Sequence, residues 1–178
     1  MLGIIALIAF TLINNNRRFK KKQAQSENVD TLFREMVACR DKKEVWNMLC
    51  LHISQTQVRI LNAARTALTG IAEGLMTDNI RILRTTASEL SDEKDYWKRY
   101  RRKEILGMRK IDALLAVEKN TWFHLGANSM TQILYGLKRM LEPVMEHVDN
   151  NFNPLPAVFV REFRPIIQQA DAFLLSIQ

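Results

Sequence analysis

The sequence predicts an all-α protein: an antiparallel bundle of four to five long amphipathic helices, preceded by the end of a truncated membrane helix. Three observations carry this. Apolar residues make up 47% of the 178 positions and recur at three- and four-residue steps over most of the chain, the period of a helix with one buried face. Six glycines and four prolines are too few to punctuate a series of strands. The first thirteen residues, MLGIIALIAFTLI, carry no charge, and the basic run RRFKKK follows at 17–22.

The apolar run opens the chain. Thirteen residues of helix reach about 20 Å, short of the roughly 20 residues that cross a hydrocarbon core. Residues 1–16 therefore read as the end of a membrane helix that began upstream. A signal peptide would place its charges before the apolar run, whereas here they come after it. The positive-inside rule then puts the rest of the chain in the cytoplasm. A buried core helix or an interfacial anchor is the other reading of this run. Residues 17–28 read as a basic juxtamembrane linker, in which Arg17, Arg18, Lys20, Lys21 and Lys22 meet anionic headgroups at about 1 kcal/mol each near the surface. An ordinary stop-transfer flank would carry the same residues.

The formal charge of +7 is concentrated in this run and in KRYRRK at 98–103, with the remainder near neutral. That distribution describes local patches rather than a nucleic-acid-binding surface. The second cluster reads either as a solvated helix face or as a docking surface for acidic partners or lipid. Cys39 and Cys50, eleven residues apart, read as buried thiols rather than a disulfide or a metal pair.

From residue 29 to 151 the pattern predicts the bundle itself. Val29, Leu32, Phe33, Met36 and Val37 form a short amphipathic helix. Asp41 and Glu44 resemble a capping box opening a longer one. There Val45, Leu49, Ile53, Ile60, Ala64, Ala67, Ile71 and Leu75 keep to one stripe, Thr56 fills a gap, and Ala63, Ala67 and Gly70 are small enough for another helix to approach closely. Asp78 is the expected N-cap of a third helix running to about Val117 through Leu83, Leu90, Trp97, Met108, Ile111 and Leu115. The next boundary is expected at 118–121. A fourth helix then carries Trp122, Leu125, Ser129, Ile133, Leu137 and Val148, and NNFNPLP ends it. Residues 152–178 read as a C-terminal helix packing on the bundle, with Phe159, Phe163, Ile166, Ile167, Ala170, Phe173 and Leu174 as its stripe and Pro165 as a kink or fresh start.

No catalytic constellation is legible. His52, His124 and His147 are scattered and none follows a glutamate at the spacing of a di-iron bundle. The chemistry that stands out is an acid ladder: Glu142, Glu146 and Asp149 stand at i, i+4 and i+7 on one helix face, where like charges repel unless water screens them or a cation sits there. Glu89 and Glu93 form a second pair that antiparallel packing of the third and fourth helices would bring alongside. A divalent, iron or zinc ion is one reading of this ladder, and a solvated acidic face is the other.

The segment LKRMLEPVMEHVDNN at 137–151 resembles the motif of PhoU-like helical domains, an acid-x-x-x-acid pair after a Leu-x-Arg-hydrophobic element, matched by Leu137, Arg139, Met140, Glu142 and Glu146. With the apolar run and its basic flank, the whole is similar to the C-terminal part of bacterial inorganic phosphate transporters of the PiT type. WFHLGANS at 122–129 and EHVDNNFNPLP at 146–156 add to the likeness, which spans about 29–150. Glu89 and Glu93 lack the Arg-hydrophobic element that a second such motif would have. The resemblance implies a non-catalytic regulatory domain in the cytoplasm, attached at the inner (plasma) membrane and partnered in cis by a phosphate permease, with metal binding among the family's properties. The alternative is a single-pass membrane-anchored signalling or scaffold protein whose bundle forms a homodimer.

Overall fold

The computed structural model describes residues 29–150 and 152–178. The expected membrane helix and the basic linker, with Arg17, Arg18, Lys20, Lys21 and Lys22, lie outside the described residues. Among the described residues no helix is long and apolar enough to cross a membrane.

The described chain is all-helical. A short helix, α1, covers 29–38, and four long ones follow: α2 (Lys42–Met76), α3 (Ile80–Met108), α4 (Ala113–Asp149) and α5 (Ala157–Ser176). α2 and α3 form the central hairpin. α4 runs antiparallel to α3, as the contacts of Trp97 with Thr131 and of Arg84 with Asp149 fix. α5 packs on α2.

The stripe read from α2 is the core: Val45, Leu49, Ile53, Ile60, Ala64, Ala67 and Ile71 are all buried. The small residues do what their size allows. A Cβ on Gly70 would collide with Thr86 of α3, and one on Gly74 with Leu83, so the two helices touch at these points with nothing to spare. The core falls into two clusters. One, around Ile60, Leu83, Leu90, Trp97, Leu134 and Leu141, fills the end nearer the α2–α3 turn. The other, around Met36, Leu49, Met108, Ile111 and Phe123, fills the end where α1 lies.

Several boundaries differ from the sequence reading. Asn79, not Asp78, caps α3, its side chain accepting from the N–H groups of Arg81 and Ile82. Asp78 instead takes the turn with φ of +50°. The break expected at 118–121 falls at 109–112, where Asp112 accepts from the N–H groups of Leu114 and Leu115 and starts α4. The apolar period hid this turn because Ile111, inside it, is itself buried. Along α4 as far as Leu134 the buried residues are Phe123, Ala127 and Leu134, while Trp122 and Leu125 are exposed. Pro165 lies inside a continuous α5. Both cysteines are free and half-buried rather than fully buried.

Candidate functional site

Between the two apolar clusters a column of polar side chains crosses the hairpin. α2 supplies His52, Thr56 and Arg59 at i, i+4 and i+7, so all three share the face that meets α3. α3 answers with Glu93, Tyr96, Tyr100 and Glu104. α1 closes the column from outside with Asp30 and Phe33.

Arg59 and Glu93 make a two-pronged ion pair, Nε to Oε2 at 2.8 Å and Nη2 to Oε1 at 3.1 Å. The guanidinium also lies 3.5 Å above the centre of the Tyr96 ring, an attraction to the π face that offers the cation a third partner. Burial works against the Arg59 charge, but the Glu93 carboxylate more than offsets it and holds the guanidinium above its ordinary range. Burial likewise pushes the Tyr96 phenol up, so it stays protonated.

One layer further along, the His52 and Glu104 side chains are 0% and 1% exposed, with Nδ1 and Oε1 3.5 Å apart. His52 stacks on Tyr100 at 5.7 Å and Tyr100 on Tyr96 at 4.0 Å, while the Thr56 hydroxyl donates to the His52 carbonyl at 2.7 Å. The Tyr100 hydroxyl reaches out of the column to donate to Asp30 at 2.7 Å, and Lys103 pairs with the same carboxylate. At the far end of α1 the Lys110 ammonium donates to the carbonyls of Met36, Val37 and Cys39. A cation at a helix C-terminus opposes the negative end of its dipole. α1 is thus fixed to the hairpin by charge at both ends and by Met36 between them.

Chemically the column is a polar seam in which Arg59 compensates Glu93, while both ring nitrogens of His52 and Oε1 of Glu104 are buried without a hydrogen-bond partner among the described residues. It holds no aligned nucleophile and base, but it fixes register: slipping α2 against α3 by one turn would strand four buried ionisable groups.

The acids read from the sequence are placed differently. Glu93 is buried and engaged with Arg59. Glu89, four residues before it, is half-buried. Glu142, Glu146 and Asp149 all lie on the exposed face of α4, where Glu142 pairs with Lys138 at 3.3 Å and Asp149 with Arg84 at 3.0 Å. The packing of α4 on α3 thus brings a cation, not a second acid, to the end of the ladder. Among the described residues no group of three or more His, Cys, Asp or Glu side chains is placed to hold a metal ion.

Thr56 was read as filling a gap in the stripe of α2 and Glu93 as one of a pair of acids, but that they share one column with His52, Arg59, Tyr96, Tyr100 and Glu104 went unread, although a signal was there. Polar residues sit inside the apolar stripe of α2 at 52, 56 and 59, and on α3 at 93, 96, 100 and 104, at helical spacing. No family model matches the chain, and no curated protein or solved structure is found to be similar to it.

Proposed function

We propose that the chain is the helical regulatory module of a membrane inorganic phosphate transporter, with no catalytic step of its own, held at the cytoplasmic face of the inner membrane by the segment before Val29. The observation that supports this reading is the setting of the PhoU-like segment. On the 37-residue α4, Leu137, Leu141 and Val148 turn into the core while Arg139, Glu142 and Glu146 stand on the outer face. A motif presented this way on a long bundle helix is available to a neighbouring protein. The seat of α1 supplies a physical route between membrane and bundle. Any pull on the segment before Val29 bears first on Asp30, and through it on Tyr100 and Lys103 of α3.

The test is phosphate uptake in cells whose protein stops at residue 28. The expected result is uptake that no longer adjusts to external phosphate. Transport and regulation that both remain unchanged would sink the reading.

One observation favours the alternative of a dimerising scaffold. On α5 and the residue that follows it, Phe159, Ile166, Phe173 and Ile177 are 46%, 59%, 64% and 48% exposed, an apolar stripe that the described chain leaves uncovered. A homodimer broken by Phe173→Glu, in a protein whose removal leaves phosphate uptake untouched, would favour that reading.

A further inference from the structure

From Asn120 to Leu137, α4 has eighteen successive residues without a formal charge, in a chain of which 25% is charged. One side of this stretch is core and the other is open. Trp122, Asn128, Ser129, Gln132 and Tyr135 are exposed on it, Leu125 is 63% exposed, and one turn ahead of the stretch Leu114 is 84% exposed. The last helix does not cover this side, because α5 packs on α2 instead. Aromatic, aliphatic and uncharged polar side chains with charges excluded are the composition of a protein interface rather than of a solvated helix face.

The open side of α4 matches itself. Opposite the core stand Leu114, Thr121, Leu125, Gln132, Gly136 and Pro143, all exposed, at steps of seven, four, seven, four and seven. The spacing is the same in both directions. A second α4 laid antiparallel, with the two-fold axis level with the Asn128–Ser129 bond, therefore sets Leu114 against Pro143, Thr121 against Gly136 and Leu125 against Gln132. The same register brings Glu118 to Arg139. Glu118 is tied to Lys119 through Oε1 at 2.6 Å and keeps its second oxygen, while Arg139, exposed, has no ion-pair partner among the described residues. Lys119 and Lys138, the one like-charged pair at a common level, stand on opposite flanks away from the line of contact. Gly136 adds a separate observation. A Cβ there would meet nothing within 4 Å, so no contact inside the chain explains a residue that costs a helix interior about 1 kcal/mol relative to alanine. Opposite Thr121 of a second copy, it lets the two backbones close up.

We propose that two copies of this chain pair through the outer face of α4, antiparallel about an axis at Asn128–Ser129, with an ion pair from Glu118 to Arg139 at each end of the uncharged stretch. The pairing goes beyond both readings above and requires neither phosphate transport nor the α5 stripe.

Disulfide formation in the full chain tests it, with Cys39→Ser and Cys50→Ser as the background. Asn128→Cys, beside the axis, should link two copies under mild oxidation. Leu114→Cys with Pro143→Cys in one chain should link as well, while either alone should not, because copies of one residue lie about 44 Å apart along the pair. In sedimentation of the full chain, Leu125→Glu should weaken the dimer by about a hundredfold. Arg139→Glu should weaken it by about tenfold, and adding Glu118→Arg should recover most of that loss. A monomeric chain, or Leu114→Cys linking to its own copy, overturns the proposal. So does a dimer that survives Leu125→Glu and is broken by Phe173→Glu, whatever the outcome for phosphate uptake.

Discussion

Arg59 joins α2 to α3 through both Glu93 and the Tyr96 ring. Its partner Glu93 is 4% exposed, so removing the guanidinium would leave a buried carboxylate without its main cation. Breaking such a pair costs about 3–5 kcal/mol, while replacing both partners with apolar residues of similar volume is often neutral or better. Arg59→Met should therefore lower the urea midpoint sharply, and Arg59→Met with Glu93→Leu should restore most of it. Both variants destabilised alike would mean that the pair contributes shape rather than charge. Gly74 makes a second point at this scale. Alanine would normally improve a helix interior by up to about 1 kcal/mol, but here the new methyl would run into Leu83, which is 0% exposed and has nowhere to move. Gly74→Ala is expected to destabilise by about 1–3 kcal/mol. Asp78 is the opposite case. Its positive φ strains a residue with a Cβ, so Asp78→Gly should be neutral or stabilising by up to about 1 kcal/mol in the same measurement.

Among the elements, α1 and α5 are held differently from the central three. For Asp30, burial alone would raise the carboxyl, but the hydrogen bonds from Lys103 and Tyr100 outweigh it and the group sits below its ordinary value of 3.8. A carboxyl lowered in the folded state adds stability that is complete above 3.8 and is lost as pH falls through the lower folded value. Protection of the α1 amides, relative to the exchange rate of a free chain at the same pH, should therefore fall on acidification below about pH 3.8, and Asp30→Asn should remove that dependence. α5 buries no residue completely. Its firmest tie is Asp171, bonded to Arg65 of α2 at 2.8 and 3.0 Å. Asp171→Asn is expected to open α5 to proteolysis before α2 and α3 are affected, and cleavage starting in the hairpin would contradict that order. The elements also show what the sequence made legible. The stripe of α2 was readable because its apolar positions from Val45 to Ile71 are all buried. The α3–α4 turn was not, because Ile111 buries itself in mid-turn and continues the apolar period through a change of direction. On α4, Trp122 and Phe123 compete for one inward position, and spacing alone does not choose between adjacent aromatics.

Over the whole molecule, the polar column divides the core without dividing the bundle. α2 and α3 run unbroken past it, so both apolar clusters share the same two backbones. Leu134→Ala in one cluster and Phe123→Ala in the other should each cost about 2–5 kcal/mol and shift one common unfolding transition rather than split it. The all-helical class followed from periodicity, which is a property of the chain. The candidate site was harder to read, because it depends on register. Glu93 stood out in the sequence as one of a pair of acids, and only the packing of Arg59 against it gives its role. The acids of α4 were conspicuous for the opposite reason: exposed residues are free to be charged and close together.

The seat of α1 bears on how the chain is made. Asp30 finds its partners 70 and 73 residues later, and the carbonyls at the end of α1 wait for Lys110. At about 5–20 residues per second of synthesis, these charged partners follow α1 by several seconds. By then α2 and most of α3, joined by a turn of three residues, have been made. The charged ties that seat the first described helix thus depend on residues made long after it.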